Sequence, residues 1–319
     1  MMRGKWSLAV AAMFMGALAS NALFAQTYPS RNLRLIVPFS PGTSPDIIAR
    51  ALARDLSADF GQSIVVINQE GASGSIGFAD VANAAPDGYT LAFGPQGPLT
   101  VQPFVKRNPS YGLDSFQPLC QVYEDVFALF VGPNSPIVDF NDLLQRSKAR
   151  PKSLTFGSPG VATVPHLQVE SLMLGAKFSM NHAPYRSVAQ LIQDVMGGNL
   201  DLAVGSVASI RSSNARILAI LGDARSTVYP NAPLIGDLGY TVSKTSLVGL
   251  YAPRATPEAV TARLEKACEK IYGSESFQKM ETELGALPRL LLGKDYAKRL
   301  NEDAVDKAAL IKTLNITQE

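Results

Sequence analysis

Short apolar runs alternate with amphipathic runs of helical period along most of this chain, and that alternation restricts it to a few layered α/β folds. LRLIVPF, residues 33–39, reads as a buried strand, and SPGTSPD turns it into IIARALARDLSADFG, whose apolar positions recur at helical spacing. Ser44 is the expected N-cap, Pro45 suits the first turn, Asp46 complements the dipole and Gly61 closes the helix. SIVVINQ then reads as a strand, GASGSIG as a loop, FADVANAA as a helix, PDG as a turn and YTLAFG as a strand. Strand, helix, strand, helix, strand implies parallel pairing through right-handed crossovers.

From Phe116 a long β-prone run, PLCQVYEDVFALFVGP, gives way to a second series of the same kind, ending in the strands LDLAVGS and ARILAILGD. A further β-prone run, TSLVGLYAP, precedes the helix PEAVTARLEKACEKIYG and a polar helical C-terminus. Two long strands bracketing one α/β series imply a middle lobe inserted into the first. The expected division is 26–124 with 247–319 as one lobe and 125–246 as the other. The fold class is therefore α/β, with two parallel or mixed sheets, flanking helices, two crossing hinge strands and a cleft between them.

Residues 1–25 read as an export signal: Arg3 and Lys5, an apolar run from Leu8 to Ala19, then the small-residue exit SNALFA. That run is too short to span a bilayer, so cleavage is expected after Ala25 and the mature chain in a bacterial periplasm. The 29 basic and 27 acidic residues are interspersed, and the formal charge of +2 offers no footprint for nucleic acid. Cys120 and Cys268 stand far apart in sequence; one disulfide is open to them in an oxidising space, but two separate buried thiols are the favoured expectation.

Motifs for catalysis and cofactors are missing. His166 and His182 are the only histidines, and neither Cys-x-x-Cys nor His-Glu-x-x-His occurs, so no metal site is expected. Gly71, Gly74 and Gly77 have the wrong spacing for a dinucleotide or nucleotide-phosphate loop, and Gly-x-Ser-x-Gly is absent. No cofactor is expected. What recurs is a strand ending in small residues that feeds a helix, at residues 40–46, 159–163 and 185–187. Free amides at helix starts suit anions such as carboxylates without any charged side chain.

YPSRNLRLIVPFSPGTSPDIIARALARDLS resembles the opening of mature Bug-type receptors, the extracytoplasmic solute-binding proteins of tripartite tricarboxylate transporters. The likeness continues through VVINQEGASGSIGFADVANAAPDGYTL, LTFGSPGVATVPHL, HAPYRSVAQLIQDVMGGNLDLAVGS and LVGLYAPRATPEAV, covering essentially the whole mature chain. The resemblance implies a two-lobed periplasmic-binding-protein fold, type II-like, that closes on a small carboxylate, is no enzyme, acts as a monomer and serves membrane transporter subunits or a sensor protein. Carried onto this sequence, the first lobe offers Phe39, Ser40, Thr43 and Asp46, with Pro95, Gln96 and Gly97. The second offers Ser158, Gly160, Thr163, His166, Tyr185 and Ser206. Asp46 is expected chiefly as a helix-start carboxylate, and His166 as either a structural histidine or a cleft donor. A secreted hydrolase or isomerase using His166 with Ser158 or Tyr185 is the reading from another class.

Gly205 and Ser206 stand where the family commonly has an Asp, which removes an amine-recognising group. The ligand expected on that ground is a carboxylate with an apolar or aromatic body, and not an amino acid.

Overall fold

A computed structural model describes residues 28–317, so the export-signal reading of residues 1–25 lies outside the described residues. In chain order the elements are β1 (Leu33–Val37), α1 (Ser44–Phe60), β2 (Ile64–Asn68), α2 (Ser75–Ala82), β3 (Thr90–Pro95), α3 (Gly97–Thr100) and α4 (Gln102–Val105). The chain then crosses through β4 (Phe116–Asp125) into β5 (Phe127–Val131), α5 (Phe140–Ala149), β6 (Thr155–Ser158), α6 (Val164–Ala176), β7 (Asn181–Pro184), α7 (Val188–Met196), β8 (Leu202–Ser206), α8 (Val207–Ile210) and β9 (Arg216–Leu221). It returns through β10 (Ser246–Pro253), α9 (Glu258–Tyr272), α10 (Glu275–Glu283), β11 (Leu287–Leu292) and α11 (Gly293–Leu314).

Two mixed sheets result, one to a lobe. The first has the order β11-β4-β10-β3-β1-β2, with β1 parallel to β2 and β3 and β10 antiparallel to β3 and β4. The second has the order β7-β6-β8-β5-β9, with β6 parallel to β7 and β8 and β5 antiparallel to β8 and β9. The β-prone run from Phe116 is thus two strands, split at Val126, where the chain leaves one sheet for the other. β1 is buried by α1 on one face and by α2 on the other, which is why its sequence is apolar almost without interruption.

Three local expectations need correcting. Thr43, not Ser44, is the N-cap of α1: its backbone is extended at φ −75° and ψ 160°, while the Ser44 hydroxyl is drawn into a bond with Asp125. The stretch after α10 contains a strand, β11, which tolerates Pro288 because it lies at the edge of the first sheet. Cys120 and Cys268 are joined in a disulfide, with Cα atoms 6.6 Å apart, and are not the separate thiols expected. The return strand β10 pairs with β4, Leu250 opposite Cys120, and lays the following helix α9 over that strand. Distance along the sequence is therefore no measure of distance here.

The lobes also meet beyond the crossings. Val101, Val105 and Ile311 of the first pack on Ala162 and Leu167 of the second. Ser73 Oγ donates to Val161 O at 2.8 Å, and Gln102 Nε2 to Ala162 O at 3.0 Å and Val161 O at 3.2 Å. Among the described residues, no helix is long and apolar enough to cross a membrane.

Candidate functional site

The two lobes face each other with helix starts of matching build. In TSPD of α1 and TVPH of α6, a threonine N-cap precedes a helix whose second residue is proline. The caps have nearly the same backbone, φ −75° and ψ 160° at Thr43 against φ −78° and ψ 160° at Thr163. Each hydroxyl folds back to a carbonyl three residues earlier, Thr43 Oγ1 to Ser40 O at 2.8 Å and Thr163 Oγ1 to Gly160 O at 2.9 Å. The threonine protons are thus committed to their own turns. Pro45 and Pro165 have no amide hydrogen, so Ser44 N and Val164 N are the leading first-turn donors, and neither has an acceptor inside its helix.

Between these turns lies an inner cavity lined from both lobes. The starts of α1, α6 and α7 border it, the last through Val188, so three positive helix ends lie at the edge of one space. Its walls are otherwise mostly apolar: Phe39, Pro95 and Pro98 from the first lobe, and Phe127, Pro159 and Ala162 from the second. A second, outer cavity adjoins it, sharing Phe39, Ser73 and Pro159 and bordered by Glu70, Tyr185 and Arg186.

The charge in the inner cavity comes from Asp125, the last residue of β4 and 6% exposed. Ser44 Oγ donates to its Oδ2 at 2.7 Å and Ser206 Oγ to its Oδ1 at 2.6 Å, so one carboxyl is held from both lobes at the point where the chain crosses. Burial pushes its pKa up to about 6, against the opposing pull of the Ser206 and Ser44 hydroxyls and the Val126 amide.

Of the residues singled out from sequence, Phe39, Thr43, Pro95, Gly97, Thr163 and Ser206 border the inner cavity, and Gly160 and Tyr185 the outer one. Tyr185 turns its hydroxyl away to Asp194 at 2.8 Å. The other five border neither cavity, because internal bonds consume their polar groups. Ser40 pairs with Glu70. Asp46 is buried, which alone would raise its pKa, but Arg50, the Gly42 amide and Asn68 hold it below the ordinary carboxylate value. Gln96 is a structural clamp: its Oε1 accepts from Leu247 N at 2.8 Å, and its Nε2 donates to Asp303 at 3.1 Å. Ser158 bonds His182 Nε2 at 2.7 Å below the cavity wall. His166 stacks on His182 with ring centres 3.9 Å apart, and its Nδ1 accepts from Ala162 N, so its proton sits on Nε2, facing Glu170 at 3.3 Å.

Ser44, Ser73, Asp125, Phe127, Val188, Ser209 and Ser246 also border the inner cavity, and none of them is among the ligand-binding residues expected from the sequence. One signal was available: Glu124 and Asp125 interrupt an otherwise β-prone run at the crossing.

Residues 48–316 match the model of the tripartite tricarboxylate transporter family receptor. The chain belongs to that family. Among curated relatives of this receptor, BugT of Bordetella pertussis is 32% identical over 289 residues, covering 88% of this chain and 89% of its own. Two solved structures share the whole architecture. A protein of R. palustris, solved with adipate, has a TM-score of 0.86 at 26% identity, over 91% of this chain and 99% of its own. The periplasmic binding protein BugD has a TM-score of 0.84 at 25% identity, over 92% of this chain and all of its own, 100%. In this receptor, Ser158, His166 and Tyr185 form no nucleophile and base pair: His166 bonds neither, and Ser158 with both histidines lies outside both cavities.

Proposed function

We propose that this receptor, exported by removal of residues 1–25 and working as a periplasmic monomer, captures a small organic carboxylate between its lobes. It delivers that ligand unchanged to the membrane subunits of a tripartite tricarboxylate-type transporter. The observation that carries the reading is the convergence of the starts of α1, α6 and α7, from both lobes, on one mainly apolar cavity. Free first-turn amides and the helix dipoles favour an anion there, and the apolar walls hold its carbon body. Adipate in the R. palustris relative supports the same ligand chemistry. Ser44 and Val164 bring first-turn amides from opposite lobes to this cavity, so a ligand touching both favours the closed form over the open one.

A thermal-shift screen of the mature chain against mono- and dicarboxylates, aromatic acids, amino acids and neutral sugars tests this. At 100 times its dissociation constant, a ligand adds about 2.7 kcal/mol of stability. A raised midpoint confined to acids, with the acid recovered unaltered, is the expected result. A shift produced only by neutral or cationic solutes, or an acid returned as a different compound, refutes the reading.

A further inference from the structure

We propose that Asp125 is a specificity-determining residue that selects ligands carrying an amino group beside their carboxylate, making the natural ligand a small zwitterion. The inference rests on the carboxylate-capture reading and reverses the expectation drawn from Gly205 and Ser206. That expectation took the acidic group to be absent from the site. It is present, but arrives from β4: the Asp125 carboxyl bonds the very Ser206 hydroxyl that ends β8.

Asp125 is a buried charge without a counter-charge among the side chains of the inner cavity. Among the described residues bordering the inner cavity, Asp125 is the single charged side chain, and it takes part in no ion pair. Isolating a carboxylate from water is costly unless donors surround it. Two hydroxyls and one amide meet part of that cost, and with its pKa near 6 the group is still ionised near neutrality. A carboxylate accepts about four hydrogen bonds. Ser44, Ser206 and the Val126 amide take up three, which leaves room for one further donor from the cavity that Asp125 borders.

The cavity therefore holds both signs side by side: the start of α1 is positive, and the Asp125 carboxylate accepts from the Ser44 hydroxyl of that same first turn at 2.7 Å. A plain dicarboxylate must bring a second negative charge toward Asp125, whereas an ammonium there forms a charge-assisted pair and neutralises the buried charge. Phe39, Phe127 and Val188 leave the rest of the cavity apolar, matching the hydrocarbon side chain of a ligand whose two charges adjoin.

Isothermal titration of matched acids that differ only in an amino group decides the matter: 3-phenylpropionate against phenylalanine, pentanoate against norvaline, and glutarate against glutamate. In the unaltered receptor, the amino member of at least one pair binds about tenfold tighter or better, the range of one good charge-assisted contact. Asp125→Asn removes that preference. Asp125→Thr, which keeps a hydroxyl for Ser44 and Ser206, does the same and serves if the first variant does not fold. Equal or tighter binding of the amine-free member in every pair, or a preference that survives both substitutions, overturns the inference and leaves carboxylate capture standing. Binding by none of the acids overturns carboxylate capture, and the inference falls with it.

Discussion

Gln102 should govern how tightly the lobes hold a ligand without touching it. Its side chain is 1% exposed and reaches from α4 of the first lobe to the carbonyls of Ala162 and Val161, in the turn that leads into α6. Gln102→Leu keeps the volume and removes both bonds. Each is worth about 0.5–1.5 kcal/mol net, so about 1–3 kcal/mol of the closed form is lost. If the free receptor is open and the bound one closed, the whole of that loss falls on affinity, a weakening of about 5- to 150-fold. Calorimetry with the acid that gives the largest thermal shift reads the affinity, and a denaturation midpoint of the free variant confirms that it is folded. An affinity within about twofold of the unaltered receptor, in a folded variant, refutes the coupling of closure to binding.

Glu281 of α10 is fully buried, and neither carboxyl oxygen has a hydrogen-bond partner among the described residues; burial pushes its pKa up to about 8 from an ordinary 4.5. The native state keeps a proton there that the unfolded chain releases, so stability falls as pH rises from 4.5 to 8. Glu281→Met should stabilise the protein at pH 8 by about 3–5 kcal/mol more than at pH 4.5, a difference that urea titrations at the two pH values resolve. Reducing the Cys120–Cys268 bond, or replacing both residues by Ala, should cost about 2–5 kcal/mol in the same assay, because the bond closes a long loop, its ends 148 residues apart. Tyr185→Phe should change ligand affinity by less than about threefold in calorimetry, since the hydroxyl it removes is already held by Asp194.

What sequence conveyed about this receptor follows the physics of each signal. The alternation of LRLIVPF, SIVVINQ and YTLAFG with helical repeats was legible because a strand buried on both faces has to be apolar nearly throughout. The strand-to-helix turns at Thr43 and Thr163 were legible for a related reason: small residues and a proline must gather where a strand ends and a helix begins. Which polar residues near those turns face the cavity was not legible. Asp46, Gln96, Ser158 and His166 all stand beside cavity residues in sequence, and each spends its polar atoms on neighbours that only the tertiary fold supplies. Asp125 is the converse case. It sits in a run that reads as strand, and its place at the crossing, bonded to a serine from each lobe, follows from the packing of two sheets and not from its neighbours in the chain.

The central claim is that an unaltered carboxylate sits between the two lobes. A crystal structure of the receptor with the best-binding acid tests it most directly. The ligand carboxylate is expected at the amides of Ser44 and Val164, with its body against Phe39 and Phe127. Ligand density confined to the outer cavity beside Glu70 and Arg186, or away from both lobes, would contradict it.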